Sequence, residues 1–135
     1  TAHRAGTGYC YEEKDGEFHT PGTINILVFT NKALTDSAMV KAIMTITEAK
    51  TAALQDWKVE STNDFPKYNT HIVHSLAKET NTSATGTATD GIILTINTNG
   101  DILTDAGSYS LFGDTLAKAV YLGVQRALEN AIGTE

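Results

Sequence analysis

The chain has 135 residues, 41% hydrophobic and 19% charged, with a formal net charge of −6. That length supports one core, so a single domain over residues 1–135 is expected. Ten basic residues scattered along an acidic chain argue against a phosphate-tracking surface, so no nucleic-acid partner is expected, and no apolar run approaches the roughly 20 residues of a membrane span.

Taken in order, the chain opens at Thr1 with no charged-then-apolar leader. Thr1 reads as a boundary left by processing or truncation rather than as a terminal-threonine nucleophile. Cys10 is the single cysteine, which excludes an intrachain disulfide and argues against a cysteine-based zinc site. One thiol fits a reducing, cytoplasmic compartment. Asp15-Gly16, between Tyr11 and Phe18, predicts a turn with a hairpin around it, and Pro21-Gly22 predicts a second turn. The run Thr23–Thr30 is β-branched and apolar on both faces, as in a central strand covered on both sides, with Asn25 inside it.

Thr35 can cap the next segment, and Asp36 suits a first helical turn. Met39, Ile43, Ile46, Ala49, Ala53 and Trp57 then recur at three- and four-residue steps, predicting one apolar helix stripe. A short strand is expected over 58–62 and a short helix around Ile72, Val73 and Leu76. Gly91–Ile96 reads as a second buried strand. Asn99-Gly100 signals a hairpin turn, with Ile102-Leu103-Thr104 as the partner strand. From Ser110 a second helix is expected, with Leu116, Val120, Val124, Ala127 and Ala131 on one face and Gly133 at its end. Two long amphipathic helices interleaved with apolar strands predict an α/β or α+β class, a layered sandwich of a mixed sheet and two helices.

Three groups can carry chemistry. Ala84-Thr85-Gly86-Thr87-Ala88-Thr89-Asp90 precedes a predicted strand. Its glycine and small hydroxyl residues suit close backbone approach to a ligand, with Asp90 able to orient a hydroxyl or a water; the plainer expectation is a loop whose Thr and Asp satisfy local backbone groups. Glu48 and Lys50 lie two apart on the first helix, too close in sequence to form the usual helical ion pair, so a solvated face is the plainer expectation there too. His71 and His74, three apart, are two ligands without a carboxylate, so no metal and no cofactor are expected. A phosphate-binding loop, a Gly-x-Ser-x-Gly elbow and a His-x-Glu-x-x-His pattern are all absent.

Several segments together resemble the adenosylcobinamide amidohydrolase family. They are Ala2-His3-Arg4-Ala5-Gly6, Gly22-Thr23-Ile24-Asn25-Ile26, Ala38-Met39-Val40-Lys41-Ala42-Ile43, Thr47-Glu48-Ala49-Lys50-Thr51-Ala52-Ala53-Leu54, Ala84–Ile92, Ala106-Gly107 and Gly113. Their order is similar to the carboxy-terminal part of that family. The resemblance implies hydrolysis of the amide joining aminopropanol to the corrin of adenosylcobinamide, giving adenosylcobyric acid. It implies a corrinoid small molecule as partner and leaves self-association open. Catalytic roles would fall to Glu48, Lys50 and Asp90, and substrate contacts to Asn25, Thr85, Gly86, Thr87 and Thr89. Where the family usually presents a His and then a Lys before the last helix, this chain has Tyr109 and Leu111. That departure motivates the alternative of a non-catalytic corrinoid or tetrapyrrole binder.

Overall fold

The computed structural model describes residues 12–14, 17–19, 23–57, 84–87 and 89–132. The strand expected over 58–62, the helix near Ile72, His3, His71, His74, Cys10, Ala88 and Gly133 lie outside these residues. The chain divides into two compact units, Thr1–Ile24 with Leu54–Asp90, and Asn25–Ala53 with Gly91–Glu135.

In the first unit, β1 (Glu12–Lys14) and β2 (Glu17–His19) pair antiparallel with Glu13 opposite Phe18. This is the hairpin predicted from Asp15-Gly16, the two-residue connection that such pairs favour. Leu54 and Ala84 are buried in this unit.

The second unit is α/β, as expected. Its strands are β3 (Asn25–Phe29), β4 (Ala33–Leu34), β5 (Gly91–Thr95) and β6 (Ile102–Leu103). β3 pairs in parallel with β5, from Asn25 opposite Gly91 to Phe29 opposite Thr95. β4 pairs in parallel with β6. Asn25 partners Gly91 and Ala33 partners Ile102, so the offset between partners grows from 66 to 69 residues. The later strand therefore carries three extra residues between the two ladders. A turn absorbs them: the Gly100 N–H donates to the Asn97 carbonyl at 2.9 Å and the Asn99 N–H to Asn97 Oδ1 at 3.1 Å. Gly100 is required there, because the Asn31 carbonyl occupies the place of a side chain. Asn99-Gly100 does make a turn, then, but not the predicted hairpin. β5 and β6 each find a parallel partner in the earlier strands instead of pairing with each other.

α1 (Asp36–Asp56) begins where predicted. The Ala38 N–H donates to Thr35 Oγ1 at 3.3 Å, which satisfies one of the amides a helix start leaves open. Its buried face is Ala38, Ala42, Ile46, Ala49 and Ala53, one residue out of phase with the predicted stripe at its start; Met39 is half-buried and Ile43 exposed. Alanines win the core position because short side chains let helix axes approach more closely. α2 (Leu111–Ile132) starts at a Ser110 cap, whose Oγ accepts from the Gly113 N–H at 3.0 Å. Leu116, Val120 and Val124 are buried as predicted, and the face runs on to half-buried Leu128 rather than to exposed Ala127.

These helix faces share one core with Ile26, Val28, Ile92 and Leu94, the inward side chains of β3 and β5. The outward side chains Leu27, Phe29 and Ile93 are 57%, 74% and 59% exposed. Among the described residues the two strands are thus covered on one face and not on both, unlike the pattern of their sequences. One further bond fixes α1 to the segment before α2: Thr45 Oγ1 donates to the Ala106 carbonyl at 2.8 Å, in a buried position.

A Cβ on Gly113 would collide with the Gly107 and Ala106 carbonyls, whereas one on Gly123 would meet nothing within 4 Å. Helix propensity favours Ala over Gly by about 1 kcal/mol, while overpacking against fixed backbone costs about 1–3 kcal/mol. Gly113→Ala should therefore lower the midpoint of urea unfolding and Gly123→Ala should raise it. A rise in both would mean that the 106–110 turn yields to the added methyl.

Candidate functional site

Two short segments of the first unit meet at Asp90. Its Oδ1 accepts from the Ile24 N–H at 3.1 Å and from Thr87 Oγ1 at 2.5 Å, and its Oδ2 accepts from the Thr87 N–H at 3.1 Å. Thr23 Oγ1 donates to the Thr89 carbonyl at 2.8 Å alongside. The local cause is composition. A carboxylate three residues after a threonine can take both the hydroxyl and the amide of that threonine, closing a tight turn. The chemical result is a hydroxyl hydrogen-bonded to a carboxylate whose orientation is fixed by backbone donors. That is the arrangement in which a nucleophile or a water is held against its base.

The other predicted site residues are placed as follows. Gly86 is buried, Thr85 and Thr87 are half-buried, and Thr89 is exposed. Glu48 is exposed on α1, while Lys50, two residues on, is buried at 8% exposure and is not without a partner. Residues two apart on a helix do not face each other, so these two charges occupy different faces of α1. Asn25 is the first residue of β3 rather than the middle of a strand, and its amide oxygen lies over Gly91, 2.9 Å from where a Cβ would stand. The structure thus joins Thr87, Thr89 and Asp90 to Thr23 and Ile24, and sets Asn25 opposite Gly91. Among the described residues no group of three His, Cys, Asp or Glu side chains is placed to hold a metal ion, and no helix is long and apolar enough to cross a membrane.

Sequence reasoning missed a groove in the second unit. It has a volume of about 760 Å³ and is lined by Val28, Phe29, Thr30, Asn31, Lys32, Leu103, Leu111, Phe112, Thr115, Leu116 and Ala119. β3 supplies one side where it ends, and the first turns of α2 supply the other. Leu111 stands 85% exposed at its rim. An apolar pair, Leu111-Phe112, at the first two positions of a helix was the available signal. At one end Lys32 Nζ meets Asp101 Oδ2 at 2.6 Å. The hydrogen bond from Lys32, and then its charge, hold the Asp101 carboxyl below its ordinary value of 3.8.

The family model for adenosylcobinamide amidohydrolases matches residues 1–135. An uncharacterized protein of Methanocaldococcus jannaschii is 39% identical over 107 residues, which cover 79% of this chain and 36% of that relative. The chain thus spans little more than a third of the relative's length. No solved structure matches it.

Because the Asp101 carboxyl is depressed by Lys32, whatever the pair adds to stability is complete above the ordinary carboxylate value and disappears as pH falls through the lowered one. Lys32→Met should move the Asp101 titration, followed by carboxyl 13C NMR, up to the ordinary range. An unmoved midpoint would show that the ion pair does not form in solution.

Proposed function

Because the chain belongs to the adenosylcobinamide amidohydrolase family, we propose that it hydrolyses the amide between the aminopropanol arm and the corrin of adenosylcobinamide. The products are adenosylcobyric acid and free aminopropanol, within cytoplasmic corrinoid salvage. One C–N bond breaks; the carbonyl carbon gains oxygen from water and the leaving amine gains a proton.

The observation that supports this reading is the hydrogen bond from the Thr87 hydroxyl to Asp90. Asp90 takes the proton as a water, or Thr87 itself, attacks the carbonyl. Backbone N–H groups of the loop at Thr85, Gly86 and Thr89 steady the oxyanion. Thr85, Gly86, Thr89 and Asn25 orient the substrate. Glu48 is the weaker candidate for base, because among the described residues no hydroxyl is held against it by a hydrogen bond comparable to that at Asp90.

A second reading has its own support. The Asp90 carboxylate already accepts from three donors of its surroundings, as a loop staple in a non-catalytic corrinoid binder would. Tyr109 and Leu111, both exposed, stand where the family pattern usually has a His and a Lys.

Turnover of adenosylcobinamide, read as released aminopropanol, separates these possibilities. Asp90→Asn should cut it by about 10²–10⁴-fold, the usual worth of a general base, with circular dichroism unchanged and Glu48→Gln close to wild type. The opposite pattern would transfer the role to Glu48. Wild-type binding without product would favour the binder.

A further inference from the structure

We propose that the outward face of β3 and β5 is the interface of a two-fold dimer, and that a second copy of this chain covers it. The surface lies wholly within the second unit, and the inference stands whether or not the chain is an amidase. Three observations carry it.

The first is an apolar sheet face with no layer on it. Leu27 of β3 lies opposite Ile93 of β5, in the middle of both strands, and Phe29 follows on the same face. Side chains alternate along a strand, so Ile26, Val28, Ile92 and Leu94 meet the helices while these three point the other way. All three are more than half exposed. An apolar sheet face is ordinarily buried against a second layer. Among the described residues that layer exists on the helix side alone.

The second is area. Phe29 carries the face to the rim of the groove, where Leu111 of α2 also stands exposed. These four side chains leave on the order of 500 Å² of apolar surface in water, near the top of the range for the largest patch on a monomer. A standard interface buries about 800 Å² on each partner. Exposed Asn25 and Thr95, at the ends of the same face, add the polar rim that such interfaces carry.

The third is charge, and it selects the occupant. At a net charge of −6, two copies repel in most orientations. The outward positions Asn25, Leu27, Phe29, Gly91, Ile93 and Thr95 carry no charge. Lys32, which borders the groove, is paired with Asp101. In a two-fold contact the same patch meets itself, so an uncharged patch is one that pairs without opposing like charges. An anionic membrane surface would call for free Lys or Arg on the patch, and these positions offer none.

Sedimentation equilibrium of the full chain, from low micromolar to millimolar concentration, tests the proposal. The mass should rise from 14.4 kDa toward twice that value, and added salt should not weaken the association, because it screens the repulsion between copies. Leu27→Glu and Ile93→Glu each place a carboxylate against the other copy and should raise the dimer Kd at least about a hundredfold. Both side chains are exposed, so each variant serves as the check if the other fails to fold. Leu122→Glu, at an exposed leucine of α2 outside the patch, should leave the Kd unchanged. A monomer at every concentration would overturn the proposal. So would a dimer that survives either substitution in folded protein, because the contact would then lie elsewhere.

Discussion

The parallel pairing of Asn25–Phe29 with Gly91–Thr95 is the constraint on which the second unit depends. Parallel strands cannot be joined by a tight turn, so a long connection must separate them, and α1 lies within it. Both helices then gather on the inward face of the pair, around Ile26, Val28, Ile92 and Leu94. The same pairing decides what is left open. Leu27, Phe29 and Ile93 stand exposed, and the carboxyl end of β3 borders a groove that α2 completes. Continuing the pairing into β4 and β6 requires three additional residues in the later strand. The Asn97–Gly100 turn accommodates them without breaking the parallel run.

Asp90 carries two demands that point in different directions. As a staple it ties Thr87 to Ile24 through hydrogen bonds that each contribute only about 1 kcal/mol net. As a proposed base it must part with some of those bonds, or share an oxygen, when a proton arrives. The two demands meet on one group because Asp90 accepts from a hydroxyl as well as from two backbone amides. Backbone donors fix the direction of the group, and a side-chain hydroxyl occupies the remaining reach of Oδ1. A glutamate on an exposed helix position, as at Glu48, has no such restraint among the described residues and would lose side-chain entropy on each encounter with substrate.

Local chemistry was legible in the sequence, and long-range partnership was not. Thr35 and Ser110 act as caps because a hydroxyl reaches amides two or three residues on, whatever the rest of the chain does. The Asp15-Gly16 hairpin and the Thr87–Asp90 turn are local in the same sense. The phase of the α1 stripe was misread because Met39 and Ile43 are more hydrophobic than Ala38 and Ala42. Which face is buried, however, depends on how closely the neighbouring elements approach. Asn99-Gly100 announced a turn but could not announce that β6 would pair with Ala33-Leu34. The Ile24–Asp90 bond spans 66 residues. The groove draws on residues 28–32, 103 and 111–119, and no spacing rule links those three stretches.

Hydrolysis by this chain is tested most directly by incubating it with adenosylcobinamide in 18O-labelled water and weighing the corrinoid by mass spectrometry. Amide hydrolysis, whether by water or through a Thr87 ester, predicts loss of the aminopropanol arm and one 18O atom in the new carboxyl group. A corrinoid of unchanged mass, recovered from protein shown to be folded and to bind it, would contradict hydrolysis and leave a binding protein built on the same fold.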